Sequence, residues 1–171
     1  MRITRRSLLA AGAAMTAASA VGLGAHGWSW YDRPPAAGLS AISQEEHDFI
    51  TAVAEAWMPP GGVPAISGAE AKLGDYMDAV VASMAAEQGR LFRLLFHALD
   101  EETILSHGAR FHRLDLEERT RVLAAWTSSP WFLQRQAIGA LMALLSFGYT
   151  EHPEVAPMLR PMFRCGFGIS P

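Results

Sequence analysis

Apolar residues in the central part of the chain recur at the three- and four-residue spacing of amphipathic helices. The first run follows Ser43 and Glu46, whose spacing is that of a capping box, and it stops before Pro59 and Pro60 because proline cannot continue a helix. The same periodicity, with Asp115 and Ser129 as cap residues and Gly108 as a stop, predicts four further helices. These helices cover about residues 69–86, 88–106, 116–126 and 130–147.

No segment shows the strict alternation of a strand bounded by hairpin turns, so the sequence predicts an all-α fold. The expected domain is a small bundle of about five helices over residues 43–152. Prolines then recur at positions 153, 157, 161 and 171, which predicts an irregular, extended C-terminal tail over residues 153–171.

The tail is also rich in large apolar side chains, which need a surface to cover them. We interpret four of them as anchors that bind a partner protein: Met158, Leu159, Met162 and Phe163. The alternative is that the tail folds back over the chain's own helices, which buries the same area.

The N-terminus has the pattern of a twin-arginine export signal. Arg5 and Arg6 precede Leu8 and an uncharged stretch of mostly small residues that lasts to about Gly24. We therefore assign residues 1–25 to a signal and residues 26–42, rich in Gly, Pro and aromatic residues, to a linker. Cleavage after an A-x-A site and retention as a weak anchor both remain open. The signal predicts export to the periplasm or cell envelope.

Composition excludes several classes of function. The formal net charge is −3, and loss of a signal carrying Arg2, Arg5 and Arg6 would make the mature chain more acidic still, which argues against a nucleic-acid partner. Cys165 is the single cysteine, so it forms no disulfide within the chain, and a C-x-x-C-H site for covalent haem is absent.

Motifs for catalysis are scarce. No histidine follows an acidic residue at the Glu-x-x-His spacing of di-iron carboxylate bundles. His97 with Arg93 and Glu101 is interpreted as a solvated charge stripe on the third helix, facing away from its leucines. His107, His112 and Asp115 surround a loop and form a weak candidate metal or catalytic site, because their number and spacing do not match a closed zinc site.

Several segments together resemble one known family. They are Trp57-Met58-Pro59, Ser67-Gly68-Ala69-Glu70-Ala71, Tyr76-Met77-Asp78, Gly108-Ala109-Arg110-Phe111-His112-Arg113-Leu114 and Trp131-Phe132-Leu133-Gln134-Arg135. With the twin-arginine leader, they resemble the gluconate 2-dehydrogenase subunit 3 family over about residues 43–153. The segment 146–153 and the proline-rich tail depart from that pattern, which leaves the substrate of the complex open.

The resemblance implies a subunit without chemistry of its own. Members are small subunits of FAD-dependent dehydrogenases, in which a large flavoprotein of the glucose/methanol/choline type oxidises the substrate and a cytochrome c subunit with haem c accepts the electrons. The small subunit assists folding and assembly, and it carries the flavoprotein through the twin-arginine translocase. It holds no flavin, metal or catalytic residue itself.

Two other readings of the sequence remain beside this one. The first is a free-standing exported enzyme that uses His107, His112 and Asp115. The second is an exported helical scaffold unrelated to redox chemistry.

Overall fold

The computed structural model describes Trp30 and residues 33–159. Pro34 begins the compact unit that contains the following helices. They are α1 (Gln44–Trp57), α2 (Leu73–Ser83), α3 (Ala86–His107), α4 (Leu116–Thr127), α5 (Phe132–Glu151) and α6 (Ala156–Leu159), with a 3₁₀ helix (Phe111–Arg113) between α3 and α4. No strand occurs among these residues, so the predicted all-α fold is confirmed.

Local signals set several helix ends as predicted. The Ser43 N–H donates to Glu46 Oε2 at 2.6 Å, which forms the returning half of the capping box at the start of α1. Asp115 Oδ1 accepts from the Glu118 N–H at 2.8 Å and caps α4. Gly108 follows α3 in the left-handed region, with a φ of 72°.

Other boundaries differ from the prediction. α2 starts at Leu73 and not near Ala69, because Ser67 to Glu70 close a separate turn in which Glu70 Oε2 accepts from the Ser67 N–H at 2.8 Å. Lys72 follows that turn with a φ of 53°, a backbone conformation outside the α-helix. α5 starts at Phe132 and continues to Glu151, four residues beyond the predicted end.

The centre of the fold is α1, which packs against α2, α3, α4, α5 and the 3₁₀ helix. A chain of aromatic rings crosses this core: Phe49 lies 5.7 Å from Phe111, and Phe111 stacks on Trp126 at 4.9 Å between ring centroids. The segment between the helices predicted over residues 88–106 and 116–126 therefore contains a helical turn that places Phe111 in the core. Gly68 lets the loop after α1 pack closely, since a Cβ there would lie 2.3 Å from the Ala54 carbonyl oxygen.

The first part of the predicted tail is not extended. α6 forms one helical turn against α5, and Val155 is fully buried. Proline is compatible with this turn because Pro157 stands at its beginning, where no intrahelical donor is needed. In the described part of the chain, no helix combines the length and apolar character needed to cross a bilayer.

Candidate functional site

The three residues of the sequence-predicted metal site have separate partners. His112 Nδ1 lies 2.9 Å from both carboxylate oxygens of Asp100, Asp115 caps α4, and His107 Nδ1 lies 2.8 Å from Ser106 Oγ. Among the described residues, no group of three His, Cys, Asp or Glu side chains is placed to hold a metal ion. The geometry therefore gives this site no support.

The predicted solvated stripe on α3 is wrong, because the N-terminal end of α1 covers it. His97 is buried, and its Nε2 lies 3.0 Å from Glu46 Oε1. Arg93 Nε donates to the same carboxylate at 2.9 Å. Glu46 thus joins α1 to two turns of α3 and caps its own helix through the Ser43 N–H.

Two more contacts extend this buried charge network toward the 3₁₀ helix. Arg110 donates to Glu45 at 2.6 Å and to Glu101 at 2.7 Å, so it also joins α1 to α3. Asp100 accepts from the His112 N–H at 3.1 Å and pairs with the ring of the same histidine. Arg93, Asp100 and Glu101 of α3 therefore hold neighbouring elements in place through paired contacts.

A second buried carboxylate fastens the chain segment before α1. Asp78, on α2, accepts the backbone N–H groups of Ser40 and Ala41 at 2.8 Å and of Ile42 at 3.0 Å. Burial raises the pKa of Asp78, but these three hydrogen bonds outweigh it and hold the pKa below its usual value. The end of the linker is thus fixed to the folded domain.

Acid is expected to destabilise the domain through these two carboxylates. Burial raises the pKa of Glu46, but hydrogen bonds from His97, Ser43 and Arg93 outweigh it, so its pKa, like that of Asp78, lies below its usual value. Both groups therefore stabilise the fold fully above their unfolded-state pKa values of 4.5 and 3.8, and this contribution is lost as the pH falls through the lower folded-state values.

Thermal unfolding followed by circular dichroism between pH 7 and pH 2 tests this expectation. The unfolding midpoint should fall steadily once the pH drops below about 4.5, the unfolded-state value for Glu46. Asp78→Asn should have a lower midpoint at neutral pH and a shallower decline in acid. A midpoint that rises on acidification contradicts the assignment.

The most unusual surface of the domain belongs to α5. Residues 136–150 contain no charged side chain, and Ile138, Leu141 and Leu145 bury one side of the helix in the core. The opposite side is uncharged and faces solvent: Phe132 is 63% exposed and Phe147 61% exposed, with the exposed residues Gln136, Ala140 and Ala143 between them. We call Phe132, Ala140, Ala143 and Phe147 the outer face of α5. Large aromatic side chains exposed on an uncharged helix face are typical of a protein contact surface.

The residues proposed from sequence for export and partner binding fall partly outside the described chain. Met158 is exposed and Leu159 is half-buried at the end of α6. Arg5, Arg6, Met162, Phe163 and Cys165 lie outside the described residues.

Sequence reasoning missed Asp78 and the outer face of α5. Asp78 was detectable as an acid on the apolar side of α2, next to Met77 and three residues before Val81. The outer face was detectable because residues 136–150 carry no charged side chain. Both signals are weak until tertiary contacts show which sides are covered.

Comparison with known proteins gave one informative match. The sequence model of the family described as gluconate 2-dehydrogenase subunit 3 matches residues 44–159. No match was found among curated proteins or among solved structures. The matched region runs from the first residue of α1 to the last residue of α6, and so includes all six α-helices given above. On this match, the chain belongs to the gluconate 2-dehydrogenase subunit 3 family.

Proposed function

We propose that this chain is the non-catalytic small subunit of a dehydrogenase complex and that it assembles with, and exports, an FAD-dependent flavoprotein of the glucose/methanol/choline type. Family membership supports the role of a dehydrogenase accessory subunit. The flavoprotein binds FAD and oxidises a CH–OH donor, and a cytochrome c subunit with haem c takes the electrons. The complex works in the periplasm or at the cell envelope.

The outer face of α5 is the observation that carries this proposal. Its two phenylalanines are more than half exposed and lie on a helix whose residues 136–150 are uncharged. Exposed apolar patches of this kind mark interaction sites in soluble proteins. A subunit that acts by binding needs such a surface, whereas a free-standing enzyme needs a cleft with placed polar groups.

The export part of the proposal depends on Arg5 and Arg6. A receptor that reads paired guanidinium groups serves a route for folded cargo, so a flavoprotein can bind FAD in the cytoplasm and then travel with its small subunit. The contacts of Asp78 with Ser40, Ala41 and Ile42 support this role, because they tie the end of the linker to the folded domain.

Replacement of both arginines tests the proposal in the native host. Arg5→Lys with Arg6→Lys is expected to leave this chain, the flavoprotein and the dehydrogenase activity in the cytoplasm, because ammonium groups do not reproduce the donor layout of guanidinium. Activity and both polypeptides are measured in periplasmic and cytoplasmic fractions. Arg33→Lys, beyond the signal, is the matched control and should export normally. Undiminished periplasmic activity in the double variant contradicts transport by association.

Removal of residues 160–171 tests the proposed anchors Met162 and Phe163. Because Val155 and α6 stay in place, the unfolding temperature should be nearly unchanged. Capture of the flavoprotein should weaken at least tenfold, about 1.4 kcal/mol, since buried apolar anchors dominate such affinities. Binding kinetics and calorimetry on the same preparation measure both effects. A truncated chain that melts much earlier, yet binds normally when folded, places the tail in the domain's own core.

A further inference from the structure

A groove of about 440 Å³ separates α3 from the first turns of α5. Its apolar lining comes from α3, from α5 and from the residue before α5: Leu95, Ala98, Leu99, Trp131, Leu133 and Ala137. The groove is open to solvent, and Trp131 and Leu133 are among the most exposed large side chains of the described chain. Leu133 and Phe132 are neighbours in sequence, so the groove adjoins the outer face of α5.

The wall formed by α3 has the spacing of a helix–helix seam. Leu91, Leu95, Ala98, Glu102 and Leu105 follow one another at alternating intervals of four and three residues. An apolar repeat of 3.5 residues is typical of the contact line between two packed helices. Here it extends about 21 Å along α3, at 1.5 Å per residue. Leu91 is 62% exposed and Leu105 is 98% exposed, so nothing described in the chain covers either end of the seam.

One acid interrupts this seam. Glu102 accepts two hydrogen bonds from Gln134 Nε2, at 2.7 Å and 2.9 Å, and these bonds join the two walls of the groove. Within residues 33–159 the Glu102 carboxylate makes no salt bridge, although Glu45, Glu46, Glu55 and Glu101 each pair with an arginine. A single polar residue in an apolar seam fixes the register of the partner helix.

We propose that this groove seats an amphipathic helix of the flavoprotein subunit, with a lysine or arginine of that helix opposite Glu102. This inference rests on the proposed function and specifies how the two subunits bind. The apolar side chains of the incoming helix pack between α3 and α5, as in other helix-in-groove complexes. The basic side chain meets the carboxylate that has no cationic partner within the described chain, and so sets the register.

Two other occupants of the groove, the chain's own C-terminal residues and a second copy of the chain, fit its spacing and charge less well. The chain's own residues 160–171 include Arg164 but also Pro161, Gly166 and Gly168, which oppose a helix. A second copy would present the same seam, which carries an acid and no base. A partner helix with a basic residue satisfies both the spacing and the charge.

Site-specific photo-crosslinking in the co-expressed complex identifies the occupant. A benzophenone amino acid replaces Leu133 in the groove or, as the control, Ala79 on the exposed side of α2. From Leu133 we expect crosslinks to a flavoprotein peptide of helical periodicity that contains Lys or Arg, and from Ala79 we expect none to that peptide. Crosslinks from Leu133 to residues 160–171, to a second copy, or to no flavoprotein peptide while the complex forms overturn the proposal.

Charge reversal tests the register. Glu102→Lys is expected to weaken capture of the flavoprotein about tenfold or more, while Glu87→Lys, the same change on α3 outside the groove, should leave it within twofold. Reversal of the crosslinked basic residue should restore capture by Glu102→Lys. Equal capture by both variants, or no restoration, overturns the assignment of Glu102. If the wild-type chain captures no flavoprotein at all, the proposed function fails and this inference fails with it. If the wild-type chain captures the flavoprotein and Glu102→Lys captures it equally well, only this inference fails.

Discussion

Replacement of Glu46 by alanine is expected to lower the free energy of unfolding by about 3–5 kcal/mol, the range for removing one member of a buried ion pair. The Glu46 side chain has no exposed surface, and Arg93 is largely buried beside it. Its loss would leave the Arg93 guanidinium, the His97 ring and the Ser43 N–H without their shared acceptor. Urea unfolding of the purified chain, followed by circular dichroism, measures the change.

The neighbouring acid provides the control. Glu45 also pairs with an arginine, Arg110, but it is more than a third exposed, and Arg110 keeps Glu101 as a second partner. Glu45→Ala should therefore cost no more than about 1 kcal/mol, as exposed pairs do. Equal losses for the two variants would show that Glu46 acts as an ordinary surface acid and that burial of the network contributes nothing special.

The sequence contained signals for the buried network around Glu46, but they led to the wrong prediction of a solvated stripe on α3. Arg93, His97 and Glu101 have the spacing of a solvated stripe, and helical periodicity alone does not show whether another helix covers that stripe. The missing information was that Glu46 lies at the N-terminal end of α1, against α3. Its capping pattern was detectable, whereas its second role as the acceptor for α3 depends on tertiary packing.

Helix ends were predictable where a local group determines them. The caps at Ser43 with Glu46 and at Asp115 are hydrogen bonds to backbone N–H groups within three residues. Gly108 ends α3 by adopting the left-handed conformation. Sequence patterns of this kind therefore predict helix ends directly. The start of α2 was not predictable in this way, because Ser67 and Glu70 resemble a helix cap but close an isolated turn before Lys72. Local chemistry there permits either outcome.

The surface that we propose for partner binding, on α3 and the outer face of α5, was the least predictable feature. Leu91 and Leu99 both lie on α3 with helical periodicity, yet Leu99 is buried and Leu91 faces solvent. The same holds for Leu141 and Phe147 on α5. A surface kept for a partner uses the same apolar residues as a core, so periodicity identifies the helix but not which of its sides the chain itself covers.

Replacement of both aromatic side chains on the outer face of α5 is expected to abolish most capture of the flavoprotein. Burial of one such side chain contributes about 1.5–3 kcal/mol, so Phe132→Glu combined with Phe147→Gln should weaken binding by about a hundredfold or more. The two residues lie about 22 Å apart along the helix, at 1.5 Å per residue, so together they sample the length of the face. Binding kinetics with the purified flavoprotein measure the loss.

The stability of the same double variant decides what the loss means. Both side chains are more than 60% exposed in the isolated chain, and an acid at position 132 lies in the first turn of α5, where it interacts favourably with the helix dipole. The unfolding free energy should therefore stay within about 0.5 kcal/mol of wild type, as for other surface substitutions. Ala79→Glu with Thr120→Gln, at exposed positions on α2 and α4, is the matched control and should bind normally. A double variant that unfolds much more easily would show that Phe132 and Phe147 belong to the domain's own packing. A double variant that is stable and binds the flavoprotein as well as wild type would show that the outer face of α5 is not part of the interface.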